Sequence, residues 1–278
     1  MSSQEDNTKY LQVETPHYNF QMKMTKREDN YLMRDCSDYY FSFGDDKMPP
    51  IEGYISLEDQ YNRARLTEIR ALQLCSEEDI NQGYLITNSF GKEVLDAVVF
   101  LIHSQFPIIK TIDLTDRTYL PYKSDTYNSL DLLTYSIGLY KKTWYEERLG
   151  AYILPKEKHE EYRKQVEEYA SKDTKDKLPF FHIYHEIRMN NVFARDIVYP
   201  NMEMYEKMYE ESESLPEFFQ KISKLIKLEE RCLFFKGWLN SLVNSKVDVS
   251  RDWNFDIYPK VKIIKDIKTK QKTRKQRK

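Results

Sequence analysis

Cysteine is scarce in this chain and shows no pairing pattern. Cys36, Cys75 and Cys232 are odd in number, widely spaced and include no CxxC pair. Neither a disulfide framework nor a zinc site is expected, and a reducing, intracellular compartment is. Long apolar runs are missing too. The best, Val94–Ile102, is short and broken by Asp96, far below the roughly 20 residues of a membrane-spanning helix. The opening MSSQEDNTKYLQVE has no basic stretch followed by an apolar one, so no secretory leader is expected. Only 7 glycines accompany 22 tyrosines in 278 residues. An AT-rich genome, whose codons favour Tyr, Ile, Lys and Asn, explains that bias more simply than an aromatic binding surface does.

What is present is a charge asymmetry behind a formal net of −2. Residues 260–278 hold ten Lys and Arg against Asp266, a net of +9, which leaves −11 on residues 1–259. An acidic body therefore carries a basic tail. A charged fraction of 32% beside 40% hydrophobic residues is ordinary for a globular protein, and the length suits one large or two modest domains.

Along the chain, residues 1–15 are polar and expected to be flexible. From Pro16 to Leu57, HYNFQMKMT, YYFSF and IEGYISL read as short strands. Glu58–Ala64 suits a helix, and Thr67–Cys75 suits either a buried strand or its continuation. Ser89–Gln105 is an amphipathic helix with Leu95, Val98, Val99 and Ile102 on one face, stopped by Pro107. A strand over Ile108–Thr115, a loop over Asp116–Ser129 and a helix over Leu130–Leu149 closed by Gly150 follow. Beyond Pro155 the pattern is helical: Lys156–Ser171, Phe180–Met189, Glu203–Glu211, and a long helix or helix pair over Pro216–Asn244. The expected organisation is a flexible 1–15, an α/β domain over 16–154, a helical extension over 155–250 and a basic tail over 251–278.

The order of elements in Thr67–Leu154, strand, glycine loop, helix, strand, helix, resembles the cofactor-binding half of the GNAT (GCN5-related) N-acetyltransferases. The resemblance covers about 90 residues. It implies a GNAT-like mixed sheet with packed helices, and a loop whose backbone amides meet the coenzyme A pyrophosphate at a helix N-terminus. The matching residues are Ser89, Phe90 and Gly91, with Lys92 beside them. The family's tyrosine before Leu-Gly, a proton donor near the coenzyme sulfur, corresponds to Tyr145 in YEERLGA. The chain departs from the pattern in three ways. Ser89 replaces the first glycine, Ile86 stands where the family has Gln or Arg, and Tyr145 lies five residues before Gly150 instead of four. One extra helical residue turns a side chain by about 100°. LTDRTYL, YKKTWYEERLGA, PEFFQKI and RCLFFKGWL also resemble blocks in uncharacterised proteins of nucleocytoplasmic large DNA viruses. That resemblance implies a host cytoplasmic or nuclear location, with packaging in the virion as a further option.

Each candidate has a plain alternative. Ser89-Phe-Gly91 is a pyrophosphate cradle or an ordinary capped helix start. Tyr145 is a general acid, or one of a Trp144–Tyr145 pair packed on the sheet. His182 and His185 are three apart but lack a third ligand, so no metal site is expected, and His103 reads as a hydrogen-bonded boundary residue. The tail, with Lys268, Lys270, Lys272, Arg274, Lys275, Arg277 and Lys278, either draws nucleic acid or another polyanion by counterion release or keeps an acidic protein soluble. Two functions follow. One is a non-catalytic GNAT-like component of a virion or replication factory whose tail holds a polyanion, with no cofactor and no membrane. The other is an acetyl-CoA-dependent N-acyltransferase.

Overall fold

The computed structural model describes residues 8–16, 19–26, 39–43, 51–56, 63–69, 88–116, 119–122, 125–190, 202–226, 234, 235, 239, 242–257 and 268–271. The chain is mixed α/β. Its main sheet contains β1 (Thr8–Glu14), β2 (Asn19–Lys26), β3 (Tyr39–Phe43), β4 (Ile51–Ser56), β5 (Arg63–Ile69) and β6 (Thr111–Thr115). Two later strands, β9 (Asp252–Asp256) and β10 (Lys268–Gln271), complete it in the order β10-β1-β2-β3-β4-β5-β6-β9. Every pairing is antiparallel except β5 with β6, which runs parallel from Arg63↔Thr111 to Leu66↔Leu114. A small hairpin of β7 (Tyr119–Tyr122) and β8 (Asp125–Asp131) stands apart.

Alternation explains which side of the sheet is dry. Leu11 and Val13 are buried on β1, and Met22 and Met24 on β2. The same face carries Phe41, Ile55, Ala64, Leu66, Ile112, Leu114, Trp253 and Phe255, all buried. Parallel neighbours need a crossover, supplied here by α1 (Asn88–Gln105). Val94, Leu95, Ala97, Val98, Val99, Leu101 and Ile102 of α1 are all buried. At 100° per residue they span an arc of about 200°, wider than a helix packed on one sheet alone requires.

Seven helices follow α1 among the described residues. They are α2 (Leu132–Tyr140), α3 (Trp144–Leu149), α4 (Lys156–Tyr169), α5 (Lys172–Asp176), α6 (Phe180–Asn190), α7 (Met202–Glu210) and α8 (Leu215–Ser223). Asp131 caps α2 by accepting from Leu133 N and Thr134 N. Ser214 caps α8, with Pro216 in its first turn. Phe218, Phe219 and Ile222 of α8 are fully buried, and the Phe219 and Phe235 rings meet edge-on at 6.3 Å. Tyr209 of α7 donates to the Lys175 carbonyl at 2.8 Å, and burial first, then the Asp176 charge, pushes its phenol up to about 12.

Several expectations need correction. Residues 8–14 are not a flexible end but a strand, because Leu11 and Val13 alternate and find the core. The segment from 251 is not all tail. DWNFD places Trp253 and Phe255 two apart, and β9 inserts both beside β6. The sheet therefore extends beyond residues 16–154. The expected loop 116–129 holds β7 and most of β8. The expected helix 130–149 is two helices, broken where Lys141 takes a left-handed φ of 62° and Thr143 caps the second. Gly150 closes it as expected, at φ 62°. Arg63 and Ala64 belong to β5 instead of a helix; residues 57–62 and 70–87 lie outside the described set.

Gly53 is the tightest point of the sheet. It faces Leu66 where the β4–β5 register shifts, and a Cβ there would sit 2.3 Å from the Arg65 carbonyl oxygen and 2.8 Å from the Phe41 ring. Gly138 is also crowded, but by the end of the Leu239 side chain, which lies 2.5 Å from where a Cβ would stand. Gly53→Ala is expected to cost about 3 kcal/mol, because backbone must move. Gly138→Ala should stay within about 1 kcal/mol of wild type, since Leu239 can rotate and alanine favours the helix. Urea denaturation of the two variants checks the ranking.

Candidate functional site

The C-terminal ends of parallel strands are where open α/β sheets place ligands, and the candidate site lies there. Pairing between β5 and β6 stops at Leu66↔Leu114, while β5 runs on to Ile69 against β4 and β6 reaches Thr115 against β9. Asp116, 1% exposed, follows immediately. Its main chain is held by Arg251: the Asp116 N–H donates to the Arg251 carbonyl at 2.7 Å, and the Arg251 guanidinium donates to the Asp116 carbonyl at 3.3 Å. The same guanidinium pairs with the Asp131 carboxylate, whose other oxygen caps α2.

Tyr145 meets this chain from α3. A capping box starts that helix, with Thr143 Oγ1 accepting from Glu146 N at 3.1 Å and Glu146 Oε2 accepting from Thr143 N at 2.8 Å. One residue into the helix, Tyr145 is 3% exposed and its hydroxyl donates to Asp116 Oδ1 at 3.2 Å. Trp144 stands edge-on to it at 5.5 Å. The Trp144–Tyr145 pair is packed against the fold as the plainer of the two sequence readings has it, and the hydroxyl is engaged within the protein.

A second network backs this one. Glu146 also accepts from Tyr162 at 2.9 Å and pairs with Arg163 at 3.3 Å. Burial first, and then the Glu146 charge, drives the Tyr162 phenol far above its ordinary range. His159 Nδ1 accepts from Ile153 N at 3.3 Å, and its ring and that of Tyr162 both stand edge-on to Trp253. Burial lowers the His159 pKa, against the Glu146 charge, which raises it. A groove of about 540 Å³ beside α2 is lined by Asp131, Thr134, Gln165, Asn244, Asp248 and Arg251. Its polar groups largely satisfy one another: Thr134 donates to Asn244 at 3.4 Å, and Asp248 N to Gln165 at 2.8 Å. Tyr145 does not line it.

The other sequence candidates fall elsewhere. Ser89, Phe90, Gly91 and Lys92 lie in the first turns of α1; their side chains are outside the described residues. Gly91 thus sits at the start of a helix that leads into the paired strand β6, as expected. Lys268 and Lys270 lie on β10, whereas Lys272, Arg274, Lys275, Arg277 and Lys278 are outside the described residues. His182 and His185 are exposed on α6, each ring near Phe181. Among the described residues no three His, Cys, Asp or Glu side chains converge as metal ligands, and no helix is long and apolar enough to cross a membrane. His103 is half-buried at the end of the α1 apolar face, and its Nδ1 is buried without a hydrogen-bond partner. Asp116, Asp131 and Arg251 are not legible in the sequence as partners. The one local signal is Asp131, a capping residue type just ahead of LLTYSIGLY.

Compared with known proteins, the chain matches no family model, no curated protein and no solved structure.

Two outcomes follow. Tyr145→Phe removes a buried donor from Asp116 and is expected to lower stability by about 1–3 kcal/mol in urea denaturation. For His159, the folded pKa lies below the unfolded value of about 6.5, so its neutral form favours the fold. That contribution is complete above pH 6.5 and is lost as pH falls below it. Wild type should lose up to about 1.4 kcal/mol per pH unit in that window relative to His159→Gln, read from denaturation midpoints between pH 7.5 and 5.

Proposed function

We propose that this chain is a non-catalytic protein with a GNAT-like core that binds nucleic acid or a similar polyanion through its basic C-terminal segment. The observation that carries the reading is the anchoring of Lys268–Gln271 as the edge strand β10, paired with β1 from Glu14↔Lys268 to Leu11↔Gln271. Residues 272–278, KTRKQRK, continue from that edge. The acidic stretch 203–217, six Glu and one Lys, belongs to α7 and α8, and α8 packs on α2. Asp131, the cap of α2, is bound by Arg251 just before β9. β9 is the opposite edge of the sheet. Seven strand spacings separate the edges by about 34 Å, while seven extended residues reach at most about 24 Å. Lys268 and Lys270 are thus placed on the edge opposite β9, where an external polyanion can approach the sheet. The resemblance to proteins of large DNA viruses supports a setting in the infected cell or the virion.

A second reading, acetyl-CoA-dependent N-acyl transfer, is favoured by one feature. The parallel strands part beyond Leu66 and Leu114, next to a register shift at Glu52/Gly53, with the N-terminus of α1 following β5. The residues that would serve the coenzyme fit poorly. Ser89 and Ile86 replace pattern residues, and the Tyr145 hydroxyl is buried on Asp116, so no proton-transfer step is derived from it.

Binding of a labelled oligonucleotide by fluorescence anisotropy tests the first reading. With about five phosphate contacts, affinity should fall roughly 10²–10³-fold between 50 and 200 mM salt. Truncation after Gln271 keeps β10 and removes half of the ten cations; it should abolish binding at 200 mM salt. A truncated chain that binds as well as the full one overturns the reading. Calorimetry with coenzyme A separates the alternative: no heat of binding is expected, and binding that Gly91→Val weakens tenfold, about 1.4 kcal/mol, would favour the transferase.

A further inference from the structure

The sheet has a second face, opposite the one that packs on the core. Residues directly opposed on neighbouring antiparallel strands share a face, and Tyr10↔Lys23, Thr25↔Tyr40, Tyr40↔Tyr54 and Tyr54↔Arg65 are such pairs. Tyr10, Lys23, Tyr40 and Tyr54 are half-buried and Arg65 is exposed. The Tyr40 and Tyr54 rings lie 5.4 Å apart, tilted by 53°. Five adjacent strands thus carry three tyrosines and two cations on one surface, and the strand next in line beyond β1 is β10, with Lys268 and Lys270.

We propose that this face binds single-stranded nucleic acid, with bases stacking on Tyr40, Tyr54 and Tyr10 and the backbone running past Lys23 and Arg65 toward the basic β10 edge. The proposal rests on the polyanion reading above and names its ligand. Stacking selects an unpaired strand, because in a duplex the base faces are already covered. A sheet face with spaced aromatic rings is a stacking platform that tolerates any base sequence, and cations beside it follow the phosphates. By the same register rule the acidic groups on this face are Glu14, Glu52, Glu68, Asp113, Asp252 and Asp256, the last two on the far-edge strand β9. Glu14 is in register with Lys268, Glu52 with Ser42, and Asp113 with Arg65. Glu14 and Asp113 therefore lie beside a cation; Glu52 and Glu68 face each other at the end of the row that begins Tyr10, Lys23 and Ser42, and the row Thr25, Tyr40, Tyr54, Arg65 meets an acid only at Asp113.

The experiment compares a 20-nucleotide oligothymidine with a 20-base-pair duplex on the full chain at 100 mM salt, for wild type, the Tyr40→Ala/Tyr54→Ala double variant and the Tyr40→Phe/Tyr54→Phe double variant. Wild type should prefer the single strand at least tenfold. The alanine pair should lose about tenfold or more on the single strand while duplex binding stays within twofold, and the phenylalanine pair should match wild type. If thermal melting finds the alanine pair unfolded, Arg65→Gln repeats the test at an exposed position, with a several-fold loss expected on the single strand alone. Equal affinity of wild type for both ligands, or alanine variants that bind the single strand normally, would overturn this proposal and leave the tail reading standing. Wild type that binds neither ligand would overturn both.

Discussion

The parallel pairing of β5 and β6 is the constraint around which the rest of the fold is arranged. Two parallel neighbours cannot be joined by a tight turn, so the chain must leave the sheet and return, and α1 is the path it takes. The crossover helix is apolar over more than half its circumference: Val94, Ala97 and Leu101 are buried as well as Leu95, Val98 and Ile102. A sheet can cover only one side of such a helix. The helices after Pro155, which read in the sequence as an extension, contribute buried aromatic residues to the same core cluster as the sheet and α1. Burial at about 25 cal/mol per Å² gives no advantage to a fold that leaves α1 half-dressed.

This constraint also explains why the last strands come from the far end of the chain. β9 closes the free edge of β6 with Trp253 and Phe255, and the isolated bridge Tyr152↔Asn254 ties the segment after α3 to it. Arg251, one residue earlier, reaches both Asp116 and Asp131. One short stretch therefore fastens the end of β6, the start of α2 and the sheet edge together. Tyr145 belongs to that fastening. A hydroxyl that donates to a buried carboxylate holds α3 in place, and its proton is directed into the protein.

Legibility follows the strength of the local pattern. HYNFQMKMT and the stripe Leu95, Val98, Val99 and Ile102 alternate or recur with the period of the element they form, and both elements are present. Gly150 is readable because a left-handed residue ends α3 and glycine meets that need at least cost. DWNFD escapes notice because five residues amid a basic stretch give too few repeats to outweigh composition. The break at Lys141 is invisible for another reason: a left-handed lysine has no propensity signature, and only Thr143 with Glu146 three residues on marks a new start. Asp116 and Arg251 are 135 residues apart, so their contact arises from topology and not from any local motif.

The same topology bears on the charge asymmetry. Along the sequence, a net of +9 follows a body of −11, and the simplest physical outcome would be for the two to neutralise each other. Pairing β10 with β1 fixes Lys268–Gln271, the middle of the cationic run, at one edge, while Arg251 and Asp131 tie the start of α2 to the other. Exposed charges more than a Debye length apart, about 8 Å at physiological salt, scarcely feel one another. The pairing of β10 with β1 thus places Lys268 and Lys270 on the sheet edge opposite β9.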